Sequence, residues 1–574
     1  MVSKPALSLL MLLSFCPLAG AAVLPAPDPN ADAAKSYLYV RSLRVEAQKL
    51  SAKDAGEADL RQAVTRYEDA LRYLAMAPVS ERTVGDARLE SENVNVLFPL
   101  AGTYARLGMK EQALGALEKA AGMTWLPPLA GYLGGPSFAS LRDEPRFKAV
   151  VAMMALPERL YKAPAITTPY KPVLTVEEKV AGLSLFWSEA RRNFVHFDHV
   201  PELKWDEVYM QYLGKVIAAP TTRDYYLLMT QLAALLRDGH TNVEMPAELA
   251  RAVYARPPLR TALVEDKVLV RHVGDEDVAR RVRAGEEIVA IDGEPVKQYA
   301  ERRVAPFVSS STPQDRAVRV FGYQLLSGDE GQAVRLRLRG EDGAEREELV
   351  ERSLKYRAPA PAGFKMLPGA IAYIALDQFE NDRDVKAFEL ALPEILGAKG
   401  LVIDVRRNGG GSSKFGMAVL SYLTKAPIAG TRGFVRGEEA YTRAQGGGYV
   451  KWSPVPGNGE LYRAVREQVF TGPVAVLTGA QTFSAAEDFT AAYKIMERGI
   501  IVGEATGGST GQPLRFDLPG GGKARICIKR DVYPDGTSFV GKGIVPDIEV
   551  RETVASLRAG RDPVVERALA ELSH

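Results

Sequence analysis

Two cysteines in 574 residues, Cys16 and Cys527, leave this sequence almost without thiol chemistry. Cys16 lies in an amino-terminal stretch that reads as a cleavable leader, so a mature chain would keep Cys527 alone and could form no internal disulfide. Histidine is also scarce: His196, His199, His240, His272 and His574 are the whole supply of imidazole. An excess of one charge sign is missing too, with 73 Lys and Arg against 71 Asp and Glu, a balance that gives no footing for a nucleic-acid partner. Long apolar runs are absent beyond the first residues. There Lys4, the apolar stretch Ala6–Phe15 and the small residues Ala19-Gly20-Ala21 form the three parts of a secretory signal. The apolar stretch is about half the ~20 residues needed to span a bilayer, so it predicts a signal peptide over 1–21 rather than an anchor. The mature protein is expected to be periplasmic or secreted, with no integral membrane segment. A lipid anchor on Cys16 is not expected, because Phe15 stands where a small residue is required.

What is present is the composition of ordinary folded domains, 46% hydrophobic and 25% charged, on a chain too long for one core. Residues 22–161 are rich in Ala, Leu, Glu and Arg with helical spacing. Ala101, Tyr104, Ala113, Leu117 and Ala120 fall at the small and large positions of a tetratricopeptide-like helix pair, and Ala63, Tyr67 and Ala70 repeat its second half. An unrelated helical hairpin fits the same residues. Such repeats carry no chemistry of their own, so this domain is expected to recruit a protein partner or the substrate. Three prolines in 162–174 predict a linker. Helical patterns return over 175–256 and end at Asp238-Gly239-His240-Thr241. Period-two alternation over 257–356 predicts strands, and VRAGEEIVAIDGEPV within it reads as part of a PDZ-like β domain, a module that binds peptide by strand addition. A plain β-rich insertion is the competing reading. Over 357–556, near-continuous apolar strands alternate with amphipathic helices, the pattern of a buried, substantially parallel sheet with functional groups at the carboxyl ends of its strands. Residues 557–574 form a helical tail. The fold class is thus multidomain α+β and α/β.

Three loops could carry chemistry. Ser484 follows the strand-like PVAVLTG and opens a helix, so its hydroxyl would project from a sharp corner beside the amide of Ala485, as an acyl-transfer nucleophile requires. Read locally, Ser-x-x-Glu with Glu487 is equally a helix capping box, and the local pattern favours the cap. The glycines at 409–411 follow a strand and let the backbone approach a ligand, with Gly410 as a second amide donor; a flexible loop is the plain alternative. Among the histidines, His240 at a helix end is the best placed base, although a helix-terminal cation or a buried core imidazole would look the same.

Taken in order, LRDGHTNV (236–243), VRAGEEIVAIDGEPV, IAYIALDQF, GLVIDVRRNGGG, TGAQTFSAAEDF, GIIVGEATGGSTG and FVGKGIVPDIEV resemble the carboxy-terminal-processing, or tail-specific, serine peptidases, and more closely the tricorn-core branch that uses histidine. The resemblance spans about 175–552. It implies a crotonase/ClpP-like core, Ser484 as nucleophile, His240 as general base, and an oxyanion hole from the amides of Gly410 and Ala485. It implies a protein or peptide substrate and no metal or organic cofactor. Two positions depart from the family. Ser509 stands where the lysine-using branch has its lysine, which places the weight on His240. Near Val540, where the tricorn-type branch has an assisting acid, no carboxylate occurs, so the group orienting His240 is unassigned and Glu487 is the candidate substitute. A catalytically silent peptide-binding scaffold and an exported esterase are the rival readings.

Overall fold

Small residues at regular helical spacing let helices approach closely, and the amino-terminal part of the chain is built that way. The computed structural model describes residues 23–83, 86–123, 128–156, 160, 165–357, 363–457, 459 and 461–573. The leader expected at 1–21, with Cys16, and His574 lie outside the described residues. The chain divides into two compact units, Met1–Pro164 and Ala165–His574.

In the first unit, helix Ala33–Leu50 packs on Glu57–Leu74, and Ala87–Arg106 packs on Lys110–Met123. Ala63, Tyr67, Ala70, Ala101, Tyr104, Ala113, Leu117 and Ala120 are all buried in one apolar core. Within that core, Arg44 and Glu92 form a two-pronged ion pair at 2.8 and 3.0 Å. Both are almost fully buried, so each charge depends on the other.

The second unit begins inside the expected 162–174 linker. Thr168 accepts the amide of Gly520, Pro172 accepts that of Thr222, and Leu174 is buried, so residues 165–174 run as a strap along this unit. Its central sheet has the strand order Ile548–Glu549, Ile500–Gly503, Val474–Thr478, Gly400–Asp404, Ile371–Ala375, Phe364–Leu367. All neighbours are parallel except the last pair, a hairpin. Alternate side chains serve opposite faces, as a pleated strand dictates. Ala372, Ile374, Leu401, Ile403, Val474 and Val476 pack under helices Arg383–Gly397, Ser413–Leu420 and Ala485–Ile495. Ile371, Tyr373, Val402, Ala475 and Leu477 pack on the other face against Val564 and Ala568 of helix Pro563–Leu572. The expected tail is therefore the cover of the sheet's second face.

Helices Val176–Asn193, Trp205–Ala218 and Thr222–Ala234 share a core with Leu518, Ala524, Ile526 and Cys527, which come from nearly 300 positions later. Over 257–356 the chain forms an antiparallel sheet with the strand order Leu259–Val264, Lys267–Val273, Glu287–Ile291, Ala333–Arg339, Glu345–Glu351. Asp292 and Gly293, at φ 50° and 82°, close the hairpin from Glu287–Ile291 to Glu294–Pro295 in the left-handed conformation that such two-residue turns require.

Replacing Glu92 by Ala strands a guanidinium in the helical core and should cost about 3–5 kcal/mol, whereas Arg44→Met with Glu92→Leu should recover most of it. Urea unfolding of the full chain, followed by limited proteolysis within 33–154, reads this out. An unchanged midpoint in Glu92→Ala would contradict a buried, mutually dependent pair.

Candidate active site

Two loops leave the carboxyl ends of adjacent parallel strands and meet. One follows Gly400–Asp404 and carries Asn408 and Gly410; the other follows Val474–Thr478 and carries Ser484. Buried Thr482 clamps the second loop: its hydroxyl donates to the carbonyl of Val405 at 2.8 Å and accepts the amide of Gly479 at 3.1 Å. Phe483 N–H donates to Asn408 O at 3.0 Å. The chain then turns through Ser484 at φ 58°, ψ −124°, a conformation that costs a non-glycine residue roughly 1–3 kcal/mol and persists only when its surroundings enforce it. Helix Ala485–Ile495 starts at once, and the amide of Ala485 has no acceptor among the described residues.

His240 arrives from the other end of the unit. Helix Thr222–Ala234 ends, Arg237 turns the chain at φ 46°, and strand Asn242–Glu244 pairs antiparallel with Lys523–Cys527, Asn242 opposite Arg525. His240 lies between helix and strand, with its ring stacked on Phe483 at 4.7 Å and 18°. Its Nε2 is 3.0 Å from Ser484 Oγ, and its Nδ1 is 2.8 Å from Ser509 Oγ. Ser509 Oγ lies 3.5 Å from Asp238 Oδ1. Buried Asp238 also accepts Thr241 Oγ1 at 2.8 Å, the amide of His240 at 3.2 Å and Ser311 Oγ at 3.3 Å. Anchored on that carboxylate, the donors run one way: Ser509 O–H to Asp238, His240 Nδ1–H to Ser509, Ser484 O–H to His240 Nε2.

Burial holds the His240 imidazole well below its usual range, with Arg525 and Arg319 acting in the same direction, so the ring is neutral and can accept a proton. Burial raises Asp238 against the hydrogen bonds from Thr241 and Ser311. Glu487 does different work. Its Oε1 accepts Thr506 Oγ1 at 2.5 Å and the amide of Gly508 at 2.8 Å, and its Oε2 accepts the amides of Ser509 at 2.8 Å and Ser484 at 3.3 Å. It ties the backbone of the Ser484 corner to the loop that carries Ser509, while the imidazole faces Ser509 instead. Burial pushes this carboxyl up to about 7. The Glu487 half of the helix capping box is made by the Ser484 amide, while the Ser484 hydroxyl donates to His240 Nε2.

Gly410 backs directly onto the corner. At φ 99°, a Cβ there would stand 2.6 Å from that of Ser484, so no other residue fits. Its amide, expected as a second donor, here closes a turn on Asn408 Oδ1 at 2.9 Å. Asx turns of this kind satisfy a backbone donor locally.

Of the other histidines, His272 bonds Tyr356 through Nδ1, and His196 and His199 lie at the short turn Phe197–His199, stacked on each other. Val540 is buried in a small apolar cluster with Phe539 and Ile544. Sequence reasoning left Asp238 and Ser509 without roles. Asp238 lies two residues from His240 in a motif already singled out, a spacing that could have drawn attention to it.

Residues 370–550 match the model of peptidase family S41. The chain is 25% identical over 276 residues to the chloroplastic C-terminal processing peptidase of Tetradesmus obliquus, covering 47% of this chain and 53% of that one. It is 21% identical over 397 residues to the tricorn protease of Thermoplasma acidophilum, covering 67% and 34%. The chain thus spans about half the length, or less, of these relatives. The solved structure of mature CPAF with lactacystin superposes with a TM-score of 0.56 at 15% identity, covering 69% of this chain and 98% of that one, a likeness of fold. Residues 370–550, with Ser484 and the Asn408–Gly410 turn inside them, therefore form a peptidase family S41 domain.

Proposed function

We propose that this chain is an exported serine peptidase that cleaves peptide bonds through an acyl-enzyme on Ser484. The observation that carries the reading is the 3.0 Å contact between Ser484 Oγ and His240 Nε2, made across 244 positions of sequence. Ser484 Oγ attacks the peptide carbonyl carbon while its proton passes to His240 Nε2. The negative oxygen of the tetrahedral adduct takes the amide of Ala485 and, once released from Asn408, that of Gly410. As the C–N bond breaks, the leaving amine takes the proton from His240, and water resolves the ester by the same route in reverse. Ser509 and Asp238 are positioning residues that hold the Nδ1–H tautomer and stabilise the imidazolium through one hydroxyl. The PDZ-like sheet over 257–356 would present an extended segment or chain end of the substrate, and the tetratricopeptide-like helices would dock a protein partner. The engaged amide of Gly410 favours one second reading, a catalytically silent peptide-binding scaffold.

Ser484→Ala should abolish both peptide hydrolysis and labelling by a fluorophosphonate, and His240→Ala should abolish hydrolysis, each with an unchanged circular dichroism spectrum. An unlabelled wild-type Ser484 would leave the scaffold reading standing. Ester substrates cleaved with no peptide turnover would favour the esterase.

Ser509→Ala removes the partner of His240 Nδ1 and should lower kcat by about 10²-fold or more with little change in KM. Equal loss through KM would assign Ser509 to substrate binding instead.

The Glu487 carboxyl, raised from 4.5 to about 7, is harder to ionise in the folded chain than in the unfolded one. Its contribution to stability is therefore fully present below pH 4.5 and is lost as pH rises through 7, on the order of 3 kcal/mol in total. Thermal melts from pH 4 to 8 should show this decline in the wild type and its absence in Glu487→Gln; parallel profiles would refute it.

A further inference from the structure

Close behind the active site lies a buried imidazole, that of His196. It is 1% exposed, and neither its Nδ1 nor its Nε2 has a hydrogen-bonding partner among the described residues. One ligand atom each from His196, Asp238 and Cys527 lies within 4.8 Å of the other two. Tetrahedral coordination with bonds of 2.0–2.3 Å sets ligand atoms roughly 3.3–3.8 Å apart, so the trio needs to close by only about 1 Å.

We infer that His196, Asp238 and Cys527 form a buried binding site for a divalent transition ion of the zinc type. The donor set is the first argument. Imidazole, carboxylate and thiolate together suit zinc-like ions, whereas magnesium and calcium prefer oxygen alone. Charge is the second. One carboxylate and one thiolate neutralise a divalent ion, so the filled site buries no net charge. On binding, Cys527 releases its S–H proton to solvent, the ion sheds water, and the fourth position is left to a water molecule.

The ligands are already braced from outside. The Thr241 hydroxyl donates to Asp238 Oδ2 at 2.8 Å and accepts the amide of Cys527 at 3.0 Å. The amide of Val195, beside His196, donates to Cys527 O at 3.3 Å. Phe194 meets the His196 ring edge-on and His199 stacks on it. Outer contacts of this kind orient ligands and sustain affinity. His196 also belongs to a second group with exposed Asp198 and half-buried His199, which gives the ion a route from the surface. Asp238 is the carboxylate behind Ser509, so a bound ion draws on the same group that braces the base. That consequence for turnover rests on the peptidase reading; binding itself does not.

The test is titration of the full chain with Co²⁺ in thiol-free buffer, followed by the thiolate-to-cobalt charge-transfer absorption. One equivalent should bind, give the band, and be displaced by Zn²⁺. Cys527→Ser should lose the band, His196→Gln should weaken binding at least tenfold, and Ser484→Ala should match the wild type. Circular dichroism checks that each variant folds, and His196→Gln reads the site independently should Cys527→Ser fail to. No saturable equivalent would overturn the site. A band that survives Cys527→Ser would place the ion on Cys16, and band-free binding in both variants would place it on Asp198 and His199; either outcome also overturns the proposal.

Discussion

The antiparallel pairing of Asn242–Glu244 with Lys523–Cys527 is the constraint on which the site depends. Strand pairing fixes register, and a slip by one residue would reverse every side chain of the short strand. His240 stands two positions before that strand, so its direction is set by hydrogen bonds it does not itself make. The pairing is in turn held by a core that joins Phe186, Tyr225 and Tyr226 to Ala524, Ile526 and Cys527. The distance in sequence between His240 and Ser484 is thus closed by apolar burial first and by polar geometry last.

Two buried carboxylates then divide the labour. Asp238 faces the hydroxyl behind the imidazole, and Glu487 gathers the amides of Ser484, Gly508 and Ser509 with the hydroxyl of Thr506. Neither touches the ring. A hydroxyl placed between imidazole and carboxylate keeps the tautomer but dilutes the charge, since Asp238 Oδ1 is 3.5 Å from Ser509 Oγ. A protonated His240 would therefore gain less from Asp238 than from a carboxylate bonded directly to it. Burial compensates in one respect, because it keeps the resting ring neutral.

The central sheet was legible because strands buried on both faces must be apolar throughout: IAYIA, GLVID and VAVLT can be little else. The helix after Ser484 was equally plain. Ser484, His240, Gly410, Ala485 and Glu487 could be singled out from loops that end strands and helices, but their mutual distances could not, since no local pattern reports a contact made through a shared core. Ser509 was noticed only as a position without lysine, and its bond to His240 Nδ1 depends on a loop folded around Glu487. Residues 165–174 looked like a linker because prolines report the lack of a helix, not the lack of contacts. The helical tail gave no sign that it would cover a sheet face, because an amphipathic pattern does not name its partner.

The strained corner at Ser484 and the turn at Gly410 are one device. Asn408 serves both: its carbonyl holds Phe483 N–H, its Oδ1 holds Gly410 N–H, and its Nδ2 donates to Leu376 O at 3.0 Å. The residue that enforces the corner thus occupies the donor expected to face the substrate. A neutral carbonyl oxygen competes poorly with an amide oxygen already in place, whereas a full oxyanion accepts a charge-assisted bond about twice as strong. Under the proposed mechanism, Gly410 is exchanged from Asn408 to the substrate as negative charge develops. Such an interaction favours the transition state over the bound substrate, but the broken Asn408 bond is subtracted from it. Ala485, whose amide starts free, then supplies the larger part of the stabilisation.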